Sequence, residues 1–154
     1  MTQNVNLLLR DAAREDAPLL LTLIRELADY EKLGHQVEAT ADILTESLFG
    51  PLPKAKALLA FVGGQPAGFA LYFYNFSTFT GRPGLYLEDL YVRPAQRHLG
   101  VGTALFDTLR DRAASGGCRR MDWSVLTWNT DAIAFYRAKG ARELSDWRNY
   151  RLDL

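Results

Sequence analysis

Hydrophobic spacing in the first third of the chain predicts one strand followed by two helices. Leu7 to Arg10 is a short apolar run of strand length. Between Leu20 and Leu27 the apolar residues instead recur at three- and four-residue intervals, which places them on one face of a helix. Gly34 interrupts that helix. Thr40 is a suitable N-cap for a second, shorter helix from Ala41 to Phe49.

The middle of the chain has the composition and alternation of β-strands. Ala57 to Val62 and Pro66 to Phe76 are rich in Leu, Phe, Tyr and Val, and a Gly-Gly-Gln turn joins them as a hairpin. A third strand is predicted from Leu85 to Val92. Simple alternation along it places Asp89 on one face of the sheet and Glu88 on the other. We therefore expect the acidic pair to straddle the sheet.

The last third predicts a crossover helix, a strand, a final helix and a terminal strand. Gly102 to Ala114 has helical spacing and ends at two glycines, and Met121 to Thr127 returns to strand character. Thr130 to Lys139 is predicted as a helix closed by a glycine, and Trp147 to Leu154 as a strand. This order predicts a mixed α/β fold. The 154 residues fit a single domain spanning 1–154.

Composition and charge select no particular macromolecular partner. Lys plus Arg and Asp plus Glu number 18 each, so no net field favours nucleic acid or an anionic membrane. The single Cys118 rules out an intrachain disulfide, and the N-terminus lacks a signal-peptide pattern. We expect a cytoplasmic protein without nucleic-acid or membrane partners. Cys118 fits a small buried side chain better than a nucleophile, and the two distant histidines suggest no metal site.

The segment from Arg97 to Thr103 is a glycine-punctuated turn that leaves a strand and opens a helix. Gly100 and Gly102 let the backbone approach an anion closely, and the helix N-terminus adds about half a positive charge. Arg97 can add a charge-assisted bond. Such a turn can bind pyrophosphate, and a plain turn with a helix cap is the alternative. A second segment, Asn129 to Gly140, carries the pattern Asn-x-x-Ala-x-x-Phe-Tyr-x-x-x-Gly.

In this order the two segments resemble the acetyl-CoA signature of the GNAT acetyltransferases. Over nearly the full length, Tyr86-Leu87-Glu88-Asp89, Trp128-Asn129 and Gly140-Ala141 are similar to the spermidine/spermine (diamine) and thialysine N-acetyltransferase subfamily. The resemblance implies the GNAT fold, a central and mostly antiparallel twisted sheet flanked by helices, with acetyl-CoA as co-substrate. The cofactor-binding residues expected from the resemblance and the turn chemistry are Leu90, Tyr91, Val92, Arg97, His98, Leu99, Gly100, Val101, Gly102, Thr103, Asn129, Thr130, Asp131 and Ala132.

The chemistry of acetyl transfer requires a proton acceptor and a proton donor. The pKa of a primary amine is about 10.4, so only about one molecule in a few thousand is neutral at about pH 7. Glu88 can take the amine proton, directly or through water, and the resemblance places Tyr136 beside the thioester sulfur as the donor. We expect direct attack without an acyl-enzyme. In the alternative interpretation of these residues, Glu88 and Asp89 are an ordinary exposed carboxylate pair and Tyr136 only packs in the core.

Recognition of a polycation requires acidic and aromatic side chains. The residues that match the subfamily's substrate region are Tyr30, Glu31, Glu88, Asp89, Asp122, Trp123, Ser124, Asp146 and Trp147. The resemblance also implies a homodimer. We expect acetyl transfer to a primary amine of a polyamine such as spermidine or spermine, or of a lysine analogue such as thialysine. The alternatives are acetylation of protein lysines or N-termini, and a non-catalytic acyl-CoA-binding sensor.

Overall fold

A computed structural model describes residues 5–154 and contains one five-stranded sheet. The strands lie side by side in sequence order; the first four are antiparallel to their neighbours, and the fifth is parallel to the fourth. They are β1 (Leu7–Asp11), β2 (Lys56–Val62), β3 (Gln65–Ser77), β4 (Arg82–Val92) and β5 (Met121–Asp122). The predicted mixed α/β class with a mostly antiparallel sheet is confirmed.

The α-helices of the described residues agree with the predicted ones. They are α1 (Ala17–Tyr30), α2 (Ala41–Phe49), α3 (Val101–Ser115) and α4 (Thr130–Ala138). For α2 the predicted bounds are confirmed at both ends, because the signals are local. The Thr40 hydroxyl oxygen accepts a hydrogen bond from the Ile43 N–H at 3.2 Å, and Gly50 follows the last residue of the helix.

The chain divides into two compact units, one ending at Trp123 and one comprising Ser124–Leu154. The first contains the whole sheet and α1 to α3, and it has apolar residues buried on both faces of the sheet. On one face, which we call the α1/α2 face, Leu23 packs in one cluster with Phe69. On the opposite face Leu105 of α3 is completely buried. The second unit contains α4.

A β-bulge in β4 changes the expected arrangement of the acidic pair. Leu87 pairs with Tyr72 and Asp89 pairs with Leu71, so Glu88 is the extra residue. Leu71 packs on the α1/α2 core, and its neighbour Tyr72 points to the other face. Asp89 therefore lies on the α1/α2 face, and alternation from the start of β4 places Glu88 there too. The prediction that the pair straddles the sheet is wrong, because alternation fails where a residue is inserted.

Two predicted strands are shortened or absent. Met121 to Thr127 was expected to be a strand, but β5 contains only Met121–Asp122, which pair with Leu85 and Tyr86. Trp147 to Leu154 forms neither helix nor strand, so the predicted terminal strand is wrong. A sequence with strand propensity becomes a strand only where a neighbouring strand receives its backbone hydrogen bonds. Within residues 5–154 the remainder of these two segments has no such neighbour.

Candidate active site

The predicted phosphate turn lies between β4 and α3. A short 3₁₀ turn, Pro94–Gln96, follows β4, and α3 begins at Val101. His98 and Gly100 both have positive φ, at 63° and 81°. A Cβ built on Gly100 would meet no atom within 4 Å, so glycine suits this position for its conformation and not because of crowding. The same left-handed conformation explains why a glycine would also suit position 98.

The N-terminus of α3 fits an anionic group. The first N–H groups of a helix have no acceptor within the helix, and no side chain of the described residues caps them here. The dipole of this 15-residue helix places about half a positive charge at the same end. Val101 is 1% exposed and anchors the turn in the core. The segment from His98 to Thr103 therefore suits the pyrophosphate of a molecule such as acetyl-CoA.

Arg97 connects this turn to β4 and to α1. Its Nε donates a hydrogen bond to the Val92 carbonyl oxygen at 3.0 Å. Its guanidinium carbon lies 5.0 Å from the centroid of the Tyr30 ring, a cation–π contact. Tyr30 is the last residue of α1, and Glu31 follows it. The contact therefore joins the phosphate turn to the C-terminal end of α1, where two predicted substrate residues lie.

A second link holds α1 against the end of β4. The Glu26 carboxylate accepts hydrogen bonds from Arg93 Nε at 3.0 Å and Arg93 Nη2 at 2.8 Å, and from the Tyr91 hydroxyl at 3.3 Å. Arg93 Nη1 donates to the Pro66 carbonyl at 3.1 Å. Such a bidentate pair fixes orientation as well as distance. An open cleft of about 680 Å³ lies between the last turns of α1 and residues 91–97.

On the side that faces β5, strand β4 continues past the last residue that pairs with β5. That pairing ends at Tyr86, because β5 stops at Asp122. Leu90, Tyr91 and Val92 pair with β3 on their other edge. A strand edge that no other described strand covers presents a row of backbone donors and acceptors. These are the backbone groups that the resemblance assigns to the pantetheine arm.

Three predicted carboxylates interact near the bulge: Glu31, Glu88 and Asp89. Burial, followed by the negative charges of Glu88 and Glu31, raises the pKa of Asp89 to about 7. Burial also raises the pKa of Glu31. A carboxyl group with a pKa near neutrality can both accept and return a proton under physiological conditions. The structure thus brings together Glu31, which follows α1, and the acidic pair of β4 that the sequence singled out.

Sequence reasoning missed an aromatic pair on the same face. Phe73 of β3 and Tyr86 of β4 are cross-strand partners, and their rings stack with centroids 5.1 Å apart. Asp122 is the partner of Tyr86 in β5 and so shares this face. Cross-strand register is the signal that connects these residues. The register between β3 and β4 depends on the bulge, so it cannot be predicted from the sequence of either strand alone.

The other predicted substrate residues are placed elsewhere. The Trp123 ring meets Phe106 of α3 edge-on, with centroids 5.5 Å apart, so Trp123 faces the side of the sheet opposite to Asp122. Ser124, Asp146 and Trp147 belong to the second unit, in which Trp147 is 76% exposed. Asp122 therefore shares the sheet face of the acidic cluster, where it is ion-paired with Arg120, whereas Trp123 faces the other side.

Helix α4 carries the remaining predicted residues. Asn129 caps the helix, since its Oδ1 accepts a hydrogen bond from the Ala132 N–H at 3.3 Å. The cofactor residues in the first turn are Thr130, Asp131 and Ala132. The rings of Tyr136 and Phe135 meet at a steep angle, with centroids 5.4 Å apart. The asparagine of the second sequence pattern thus has a local structural role as a helix cap.

Three other features of the residues that the structure describes, 5–154, concern metal binding, membrane spanning and cysteine chemistry. Within residues 5–154, no group of three or more His, Cys, Asp or Glu side chains is arranged to hold a metal ion. No helix in this range is both long and apolar enough to cross a bilayer. Cys118 is a free, partly buried cysteine, and its N–H donates to the Ala113 carbonyl at 2.9 Å.

A helix start suited to an anion, an uncovered strand edge beside it and a carboxyl group whose pKa is raised to about 7 are features expected of an acyl-CoA-dependent acyltransferase built on a mixed α/β sheet. The sequence model described as "Acetyltransferase (GNAT) family" matches residues 20–141. The chain belongs to this family. It is accordingly an acetyl-CoA-dependent N-acetyltransferase.

Proteins of similar sequence support this family assignment, and a solved structure shares the fold. Thialysine N-epsilon-acetyltransferase of Sus scrofa is 36% identical over 159 residues, which cover 96% of this chain and 93% of the relative. Human spermidine/spermine N(1)-acetyltransferase-like protein 1 is 35% identical over 94% of this chain, but this match covers only 22% of that larger protein. A solved integron cassette protein from the mobile metagenome of V. cholerae has a TM-score of 0.80, covers 96% of this chain and 92% of its own, and is 24% identical. This last likeness shows the fold alone.

Proposed function

We propose that the enzyme acetylates a primary amine of a small polycation, either a polyamine such as spermidine or spermine or a lysine analogue such as thialysine. The observation that carries this proposal is the cluster of Glu31, Glu88 and Asp89 on the α1/α2 face. Clustered carboxylates attract an ammonium group, and Asp89, with a pKa of about 7, can take its proton. The names of the thialysine and spermidine/spermine-like relatives support the same class of acceptor.

Acetyl-CoA supplies the acetyl group as an activated thioester. The neutral amine forms a C–N bond to the acetyl carbon as the C–S bond breaks, so the amine gives up one proton and the CoA thiolate gains one. Glu88 accepts the amine proton, directly or through water, and Asp89 is a second acceptor on the same face. A positioned general base is commonly worth about a hundredfold to ten-thousandfold in rate. No acyl-enzyme is needed.

Tyr136 donates the proton that the CoA thiolate gains. This assignment follows from the family pattern, in which the tyrosine of the Phe-Tyr pair on α4 lies beside the sulfur, and from the ability of a phenol to donate. Asn129 and the first turn of α4 contribute to the cofactor site in the same way. The turn from Arg97 to Thr103 holds the pyrophosphate, and the backbone from Leu90 to Val92 holds the pantetheine arm.

The acceptor is bound by the acidic and aromatic residues of the first unit, together with residues that the resemblance alone supplies. The first group comprises Tyr30, Glu31, Glu88, Asp89 and Asp122; the second comprises Trp123, Ser124, Asp146 and Trp147. We further propose a cytoplasmic homodimer, as the subfamily resemblance implies. Exposed apolar residues of the second unit, Trp147 and Tyr150 among them, are suitable for an interface. Sedimentation analysis tests the dimer, and a single monomeric species would contradict it.

A thiol-release assay with acetyl-CoA tests the proposed function. The acceptors are spermidine, spermine, putrescine, thialysine, lysine, an aminoglycoside and a lysine-containing peptide. We expect turnover with small amines and little with the peptide. Calorimetry with acetyl-CoA provides the control, because a chain that binds acetyl-CoA without turning over any amine would contradict the proposed acceptor class. Preferential turnover of the peptide would instead indicate a protein acetyltransferase.

A further inference from the structure

Arg120 crosses the α1/α2 face at some distance from the acidic cluster. Its Nε lies 3.1 Å from Oδ2 of Asp122, and it would lie 3.5 Å from a Cβ built on Gly84. The side chain of Arg120 therefore passes within van der Waals distance of Gly84, where a Cβ would clash with Asn75 Oδ1 and not with the arginine. The Leu85 N–H donates to the Arg120 carbonyl at 3.1 Å, which fixes the backbone beside β4. Because the ion pair uses Nε, both terminal nitrogens of Arg120 retain donors for another partner.

Three rows of side chains cross this part of the face: a cationic row, an aromatic row and an acidic row. The cationic row contains Arg120, Gly84 and Asn75. The aromatic row contains Tyr86, Phe73 and Asp122, and the acidic row contains Asp89 and Leu71. We call this surface the acceptor floor. A molecule lying along β4 on the acceptor floor meets the Arg120–Asp122 ion pair at one end, the rings of Tyr86 and Phe73 in the middle and the acidic cluster at the other end.

We propose that Arg120, oriented by Asp122, binds a carboxylate of the acceptor and so selects amino acids with a distal amine over amines that lack a carboxylate. The inference rests on the proposed function, because the amine to be acetylated occupies the acidic end of the floor. Arginine suits the other end, since its planar fork matches the two oxygens of a carboxylate. The rings of Tyr86 and Phe73 cover the methylene groups between the two charged ends.

The length of the acceptor floor suits a lysine-like chain. Asn75 and Leu71 are four residues apart on β3, so the backbone of the first row lies about 13 Å from that of the third at about 3.3 Å per residue. Nε of Arg120 leans from the first row toward the second, since it lies 3.1 Å from Asp122 Oδ2, so the span between Arg120 and Asp89 is shorter than the backbone spacing. A lysine-type amino acid, with an anion at one end and an amine at the other, is short enough for this span. Spermidine is longer and carries no anion.

The test uses acceptor pairs that differ only in the carboxylate: lysine with cadaverine, and ornithine with putrescine. The readout is the ratio of kcat/KM for the amino acid to kcat/KM for its decarboxylated partner. Arg120→Gln should lower this ratio about tenfold to hundredfold, mainly through the KM of the amino acid, because a charged hydrogen-bond donor is lost. Arg119→Gln removes the same charge from the neighbouring residue and should leave the ratio unchanged.

The outcomes separate this inference from the proposed function. An unchanged ratio in Arg120→Gln, or a wild-type preference for the decarboxylated amines, would overturn the role of Arg120 while the enzyme still acetylates amines. No turnover with any amine would contradict the proposed function and the inference together. If thermal unfolding shows that Arg120→Gln does not fold, Arg120→Lys serves in its place. It keeps the charge but lacks the fork, so a reduced ratio is expected and an unchanged one overturns the inference.

Discussion

Replacing Asp89 by Asn should make the protein more stable at alkaline pH. The pKa of Asp89 is about 7 in the folded protein, against an ordinary value of 3.8, because burial and the charges of Glu88 and Glu31 disfavour its ionised form. Between these two pH values the folded state binds a proton that the unfolded chain has released. The free energy of unfolding therefore falls as the pH rises from about 4 to about 7.

The magnitude follows from the two pKa values. One pH unit corresponds to about 1.4 kcal/mol, so ionisation of Asp89 lowers the free energy of unfolding by about 2 to 3 kcal/mol between about pH 5 and about pH 8. The amide introduced by Asp89→Asn cannot ionise, so the variant avoids this loss. The stability difference between Asp89→Asn and wild type should therefore grow in favour of the variant by about 2 to 3 kcal/mol over that range.

Urea unfolding of both proteins at the two pH values measures this change. Any effect of the substitution that does not depend on pH cancels in the comparison. Asp42→Asn, at an exposed carboxylate on α2, is the matched control and should give the same difference at both pH values. A constant difference for Asp89→Asn as well would show that the carboxyl group is not held in its protonated form. The reasoning about its environment would then be refuted.

Three further predictions concern catalysis and the phosphate turn. Tyr136→Phe should keep acetyl-CoA binding by calorimetry while thiol release falls about a hundredfold or more, as expected for loss of a general acid. Glu88→Gln should move the activity profile to higher pH, because a larger neutral fraction of the amine must replace the lost base. His98→Val should lower the free energy of unfolding in urea by about 1 to 2 kcal/mol, because position 98 has a φ of 63° and a β-branched residue resists that conformation.

Each of these predictions has an opposing outcome. Unchanged thiol release in Tyr136→Phe would remove the tyrosine as the acid, and an unshifted pH profile in Glu88→Gln would remove Glu88 as the base. His98→Gly serves as the control for the turn, since glycine adopts positive φ without strain, and it should be at least as stable as wild type. Equal stability of the Val and Gly variants would contradict the argument from backbone conformation.

Local signals in the sequence were sufficient for most elements of the fold. Helix α2 was predicted at both ends because Thr40 and Gly50 act on residues within one turn of themselves. The glycine-punctuated turn before α3 could likewise be recognised from adjacent residues, and its anion-binding character follows from a helix start and positive φ. The acidic residues of the candidate site were also identifiable, since Glu31, Glu88 and Asp89 stand in the family pattern.

Only the tertiary structure decided how these residues meet, because strand register is a property of two strands. The extra residue at Glu88 moves Asp89 to the face that carries Glu31, and burial, followed by the neighbouring negative charges, raises the pKa of Asp89 to about 7. The acceptor floor likewise depends on which residue of β3 or β5 stands beside each residue of β4. The predicted strand from Trp147 to Leu154 was wrong for the same reason. Side-chain propensity is local, whereas a strand needs hydrogen bonds from a distant part of the chain.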